Sequence, residues 1–245
     1  MKTGKLIGNG NTACVYEWDE GRVIKLFHEG YPEEAVEKEY HNALAVRDMP
    51  FAKPRAYELV RYEDKRGIIY DKVEGEDLLS RVLRKRDIEE CAITMATLHK
   101  TIILNTSDET PYYKDFLKNH IPYALLSVEE QKDLLQRIED LPEGNSLCHG
   151  DFHPGNILIS EGSPYVIDFM NICHGNYLYD VARTVYLIEY TPVPDNTDDK
   201  DQILSMKRAL SNSYLLHMKI NREMLQEFLA VIQVVRKGEC PEEKV

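Results

Sequence analysis

The 245-residue chain has no apolar run near the roughly 18 residues that span a bilayer, because charged residues interrupt every such stretch. Its start, Met1-Lys2-Thr3-Gly4-Lys5, leads into no apolar signal core, so a cytoplasmic protein with no membrane partner is expected. It has no Cys-x-x-Cys. The five cysteines (Cys14, Cys91, Cys148, Cys173 and Cys240) are odd in number and scattered, which fits buried thiols in a reducing compartment better than a disulfide frame or a zinc cage. A basic excess is lacking too. Lys and Arg number 30 against 42 Asp and Glu, a net charge of −12, which argues against a nucleic-acid partner. There is no internal repeat and no low-complexity tract. The 43% of apolar residues suffices for one large domain or two small lobes.

The patterning changes along the chain. Residues 5–8 and 14–18 read as strands flanking a Gly/Asn-rich turn, and residues 22–27 follow a second turn at Asp19-Glu20-Gly21. Residues 57–61 and 67–71 make another strand pair. Between them a helix is expected to start with Pro32 in its first turn and to bury Val36, Tyr40, Ala43 and Leu44. Beyond Glu74-Gly75 helices dominate. Ile88, Cys91, Ala92, Met95, Leu98, His99 and Ile102 form the strongest helical stripe, and Val128, Leu134, Leu135 and Ile138 mark another. A strand-rich island covers residues 147–148, 157–160 and 165–168. The rest reads as helix with a polar break at residues 191–201. The expectation is therefore an α+β fold of two lobes: a strand-rich N-terminal lobe over residues 1–74 and a helical C-terminal lobe over residues 75–245. The first holds 12 basic and 14 acidic residues, net −2, and the second 18 and 28, net −10.

Three motifs carry chemistry. Gly8-Asn9-Gly10-Asn11-Thr12 can bring backbone amides close to a phosphate. Alone it also fits an ordinary hairpin. A strand follows it rather than a helix, and no Gly-Lys-Ser/Thr occurs, which excludes a dinucleotide fingerprint and a P-loop. A glycine loop joining two strands is the protein-kinase arrangement. In the second motif, Lys25 sits in the apolar strand Val23-Ile24-Lys25, where it can hold nucleotide phosphates if a helix carboxylate orients it. Glu37 and Glu39 both flank the helix stripe, and periodicity does not choose between them. The third is His149-Gly150-Asp151-Phe152-His153-Pro154-Gly155-Asn156, followed by Ile167-Asp168-Phe169. Asp151 and Asn156 have the Asp-x-x-x-x-Asn spacing of a kinase catalytic loop, and an Asp-Phe comes one hairpin later. One carboxylate is needed to take the acceptor's proton, and hard oxygen donors are needed to hold magnesium.

These motifs resemble the aminoglycoside phosphotransferase and choline kinase family, small-molecule kinases of the protein-kinase-like fold. The resemblance rests on residues 149–156, on Val166-Ile167-Asp168-Phe169 and on Tyr179-Asp180-Val181-Ala182-Arg183, and reaches back through Lys25 to the glycine loop. It implies ATP and magnesium as cofactors, Asp151 as catalytic base, and Asn156 and Asp168 as metal ligands. It also implies Gly8, Gly10, Asn11 and Lys25 on the phosphates, with Glu39 favoured as the partner of Lys25. The adenine would lie by Asp71 and Val73, and Asp180 would buttress the catalytic loop. Ala13 stands where the protein-kinase pattern has its third glycine.

Other readings are weaker. His149, Asp151 and His153 could face one way on a strand as metal ligands, but Pro154 and Gly155 break a strand there. Gly150-Asp151-Phe152-His153 echoes metallophosphoesterases, whose further blocks are absent. A catalytically silent nucleotide-binding module is the remaining alternative, disfavoured because each residue expected for chemistry is present. No Ala-Pro-Glu follows Asp168 and the segment to Tyr179 is short, so a small hydroxyl acceptor is expected rather than a protein. The acidity of the second lobe suggests a cationic one, with Asp195, Asp198, Asp199 and Asp201 either lining its cleft or forming a solvated loop.

Overall fold

The structure, a computed structural model, describes residues 3–193 and 197–241. In chain order the first elements are β1 (Leu6–Asn9), β2 (Ala13–Glu17), β3 (Arg22–Phe27), α1 (Glu33–Ala45), β4 (Ala56–Tyr62), β5 (Lys65–Asp71) and β6 (Glu76–Asp77). Next come α2 (Leu78–Lys85), α3 (Ile88–Ile103), α4 (Tyr113–His120), α5 (Val128–Asp140) and β7 (Ser146–Cys148). The chain continues with β8 (Ile157–Ser160), β9 (Ser163–Val166), β10 (Cys173–Gly175), α6 (Tyr177–Tyr190), α7 (Lys200–Met218) and α8 (Gln226–Glu239). No helix among the described residues is long and apolar enough to cross a membrane.

The chain divides into two compact units, one strand-rich and one helical, in an α+β fold. The first comprises Met1–Asp77 and Asn156–Asn171. Its five-stranded antiparallel sheet has the order β1-β2-β3-β5-β4. Alternation along β3 sends Ile24 and Leu26 to one face, where they meet Ile69, Tyr16, Trp18 and Val60. It sends Lys25 to the opposite face. Pro32 is the N-cap residue of α1 rather than a member of its first turn, which begins with Glu33 and Glu34, two carboxylates that favour the positive end of the helix dipole. A second, three-stranded sheet joins β6 to the β8–β9 hairpin. Gly75 lets the two approach: a Cβ there would lie 2.3 Å from the Ile159 carbonyl oxygen. Strand β9 ends at Val166, two residues short of the expected strand, because Asp168 takes a left-handed conformation (φ 68°) that no strand accommodates.

The second unit comprises Leu78–Gly155 and Ile172–Val245. Its core is α6, buried along most of its length, together with α3, α7 and α8. The stripe expected on α3 is buried from Cys91 to Ile102, with Ile88 only partly so, and Asp87 caps the helix by accepting from Glu90 N–H. Helix α5 starts with a capping box between Ser127 and Glu130. Its buried face is narrower than the sequence pattern suggests: Leu134 and Ile138 point inward, whereas Val128 and Leu135 are exposed. Strands β7 and β10 form a two-stranded pair in which Cys148 opposes Cys173.

Candidate functional site

In the first unit the side chains converge on Lys25. Its Nζ lies 2.8 and 2.9 Å from the two carboxylate oxygens of Glu39, on α1, and 3.1 Å from Asp168 Oδ1. Of the two helix carboxylates left open by periodicity, Glu39 is thus the partner, 1% exposed; Glu37 is turned outward and accepts from Arg66. Tyr70 OH donates to Glu39 at 3.0 Å. Burial favours the neutral amine, but the Asp168 and Glu39 charges outweigh it and hold Lys25 protonated, above its ordinary pKa. Burial pushes the Glu39 carboxyl up, against the pull of the ammonium. One ammonium between two carboxylates leaves the cluster one negative charge in excess, which suits a further cation.

Asp168 is aimed by its neighbours. Asn42, one turn beyond Glu39 on the same face of α1, donates to the Phe169 carbonyl at 2.8 Å and to that of Met170 at 3.2 Å. Asn156 ends a 3-10 turn just before β8. Its carbonyl accepts from Ile167 N–H at 3.0 Å, so the two expected metal ligands sit at the same end of the β8–β9 hairpin. At the glycine loop, Gly10 N–H donates to the Ala13 carbonyl, and a His28 ring nitrogen lies 3.1 Å from the Gly10 carbonyl. Neither Gly8 nor Gly10 has a positive φ, and a Cβ on either would meet its neighbours at 3.4 Å or more. Asn9 accepts from the Cys14 thiol, next to Asn11 at the loop's tip. The Asp71 carboxylate accepts from Arg55 N–H and Tyr57 OH and its own N–H donates to the Arg55 carbonyl, while Val73 lies beyond the end of β5.

The second unit holds the loop of Asp151. Asp180, fully buried on α6, accepts from His149 N–H at 2.6 Å, Gly150 N–H at 2.8 Å and His99 Nε2 at 2.8 Å. Burial alone would raise its carboxyl, yet His99, His149 and the Gly150 amide together hold it below the ordinary value. Gly150 has φ 74°, a turn that a side chain would strain. Arg183 Nε donates to its carbonyl. His99 is clamped in turn by Tyr214 OH at 2.5 Å and packs on Phe152. The His149 ring is buried, with Nδ1 facing Asp151 N–H, so it does not join Asp151 and His153 as a third outward ligand. Among the described residues no three His, Cys, Asp or Glu are grouped to hold a metal, which removes the metallophosphoesterase-like arrangement. The Asp151 carboxylate is about three-quarters buried and lies 3.8 Å from His153 Nε2.

A model of the phosphotransferase enzyme family matches residues 3–202, a span that contains all of these side chains except Tyr214. The chain belongs to that family. No curated protein sequence matches it. Among solved structures, a thermostable mutant of the aminoglycoside phosphotransferase APH(4)-Ia in its apo form superposes with a TM-score of 0.68 at 15% identity, over 97% of this chain and 87% of that one. Aminoglycoside-3'-phosphotransferase of type VIII gives 0.63 at 16% identity, over 96% and 91%. The amicoumacin kinase hAmiN, in complex with AMP-PNP, Ca2+ and Ami, gives 0.62 at 13% identity, over 96% and 79%. At these identities the likeness is one of fold.

Sequence reasoning missed Asn42, Tyr214, the role of His99, and Glu239 at the end of α8, which accepts from both terminal nitrogens of Arg183. Asn42 had a signal, its spacing of three from Glu39. His99 was legible only as a stripe residue. Of the acidic cluster, Asp195 lies outside the described residues, and Asp199 takes a left-handed conformation just before α7.

Removing Asp180 leaves His99 and two buried amides without their acceptor. Asp180→Ala is expected to cost about 3–5 kcal/mol in urea unfolding at pH 7, and Asp180→Asn less, since one amide oxygen still accepts. Because the folded carboxyl titrates below its unfolded value of 3.8, the wild-type advantage over Asn is full above about pH 4 and shrinks as pH falls further. An advantage that grew on acidification would contradict this assignment.

Proposed function

We propose that the protein is an ATP- and magnesium-dependent kinase that transfers the γ-phosphoryl group to a hydroxyl of a small, cationic molecule. The observation that carries the reading is the Lys25 ammonium held between Glu39 and Asp168. A buried lysine tied to one helix carboxylate is oriented and charged, as phosphate binding requires. Its second carboxylate, Asp168, belongs with Asn156 to a hairpin end that offers hard oxygen donors and an excess negative charge. That donor chemistry fits magnesium, for which Asp168 and Asn156 are the proposed ligands. Bound there, the ion would neutralise charge on the nucleotide phosphates.

The glycines support the same reading. Gly8 and Gly10 have ordinary φ and room for a Cβ, so the hairpin itself does not demand them. A ligand that must approach the backbone does. In the second unit Asp151 would accept the acceptor's proton as its oxygen bonds to the γ-phosphorus and ADP departs. Gly10, Asn11, Asp71 and Val73 are proposed to line the nucleotide. Nucleotide use is further supported by the amicoumacin kinase complex with AMP-PNP. The acceptor's positive charge is inferred from the acidic surplus of the chain, net −12, of which the second unit carries −6.

Three measurements test this. Asp168→Ala should abolish turnover in a folded protein, and Asp151→Asn should lower kcat on the order of 100-fold or more while ATP binding barely changes. Near-normal activity in the first, or a change confined to the ATP KM in the second, would move those roles elsewhere. Lys25→Ala and Glu39→Gln should each weaken turnover with ATP and should couple in a double-mutant cycle; strict additivity would separate them. Finally, ADP release should be screened against aminoglycosides, choline, ethanolamine, homoserine, thiamine and amino sugars. For the true acceptor, kcat/KM should fall as salt shortens the Debye length to about 8 Å at 0.15 M. A neutral or anionic acceptor would remove the charge argument and leave the kinase reading standing.

A further inference from the structure

The C-terminal helix α8 reaches the catalytic loop of the second unit through one arginine. Gly238 brings the helix against the 3-10 turn Ile121–Tyr123: a Cβ there would lie 2.1 Å from the His120 carbonyl oxygen and 2.9 Å from Ala124 N. The next residue, Glu239, is thereby placed inside the protein, its side chain only 10% exposed. It grips Arg183, itself 1% exposed, in a two-pronged bond with NH1 to Oε2 at 2.9 Å and NH2 to Oε1 at 2.6 Å. The third guanidinium nitrogen, Nε, donates to the Gly150 carbonyl. The guanidinium also lies over the Phe116 ring, 5.0 Å from its centroid.

The geometry explains what this achieves. A fork bonded at both prongs has a fixed plane, and the plane fixes where Nε points. The carbonyl it meets belongs to the peptide joining Gly150 to Asp151. The amide on the other side of Gly150 is held by Asp180. Both peptide planes around a residue of positive φ are thus pinned, one from α6 directly and one from α8 through Arg183. Burial works against the Glu239 carboxylate, but Arg183, then Arg236 and His120, hold its pKa down to about 2, so the grip persists at working pH.

We infer that Glu239 is a positioning residue for Asp151, acting through the Arg183 fork, so that the last turn of the C-terminal helix is part of the phosphotransfer machinery. The inference rests on Asp151 being the proton acceptor. A lysine at 183 would keep the ion pair and lose the fork, which separates positioning from simple charge pairing.

The test uses the full chain carrying Glu239→Gln, Arg183→Lys or both, with Glu227→Gln on the exposed side of α8 as a control. With the acceptor from the screen, each single substitution is expected to lower kcat about 10-fold or more with ATP KM within about twofold, and the double variant to be no worse than the poorer single. In the same proteins amide hydrogen exchange over residues 148–152 should quicken, while the control matches wild type in both respects. Wild-type exchange in that segment overturns the inference whatever happens to kcat; so does wild-type kcat with quickened exchange. If no acceptor is phosphorylated even by the wild-type chain, the kinase reading fails separately, and exchange alone decides whether Glu239 anchors the loop. Should Glu239→Gln not fold, Glu239→Asp, which keeps the charge but shortens the reach, is measured in its place under the same criteria.

Discussion

The first unit is organised around a single ammonium. Lys25 joins a sheet strand, a helix and a hairpin whose Asp168 lies 143 residues further along the chain. Glu39, a carboxylate with 1% exposure, would be costly without it, and Lys25, itself largely buried, would be costly without its two anions. The ammonium makes their burial tolerable, and they in turn keep it charged. Tyr70 and Asn42 extend the same constraint. Tyr70 adds a neutral donor to Glu39, and Asn42 fixes the backbone after Asp168 from the helix that supplies Glu39. The register between helix, sheet and hairpin is therefore set by polar contacts at one spot, while the apolar cluster around Ile24 and Ile69 supplies nondirectional burial on the other face.

The second unit repeats the strategy with different chemistry. Asp180 and Arg183 stand three residues apart on α6, both fully buried, and between them they hold the amide and the carbonyl of Gly150. Buried ion pairs seldom stabilise more than well-packed apolar groups would. Their use here is directional. An apolar contact cannot fix a peptide plane, whereas an anion on one side and a planar fork on the other can. Phe152, packed on His99, gives the loop its apolar anchor next to Asp151. Asp151 itself stays only partly buried, which the proton-accepting role proposed for it requires.

Much of this was legible in the sequence, and the limits have physical causes. The motif residues could be read because their chemistry constrains both type and spacing: Asp151 to Asn156, then Asp168 one hairpin on. The choice between Glu37 and Glu39 could not, since residues two apart on a helix point to opposite sides and α1 has no single apolar face strong enough to say which side meets the sheet. The strand ending at Val166 was overextended because Ile167 continues the apolar run, while the left-handed turn at Asp168 follows from tertiary contacts rather than from local propensity. Helix α4 has only a short stripe, Tyr113, Phe116 and Leu117. It buries Lys114, whose ammonium donates to the Glu139 carbonyl and to Glu143, so a charged residue occupies a core position that pattern reading assigns to solvent. Glu239 was hidden for the same reason, as a charge near the end of the chain whose partner is distant in sequence.

The acidic surplus must be weighed against this extensive pairing. Glu89, Glu90, Glu143, Glu189 and Glu239 all contact cationic or hydrogen-bonding partners within the second unit. Such pairs consume acids and bases together, so they cannot reduce the surplus of six acids in that unit. They only decide where it is not. Short-range pairs set geometry and are nearly silent at a distance; the net charge sets the far field. An anionic nucleotide gains nothing from that field and depends on local donors, of which the first unit supplies a largely buried, protonated one in Lys25. A cation gains at every distance the salt permits. The surplus is shared equally by the two units, net −6 in each, so the division of labour proposed for them rests on local chemistry, a cation placed for phosphate in the first, while the acidic field of the whole chain favours a positively charged acceptor.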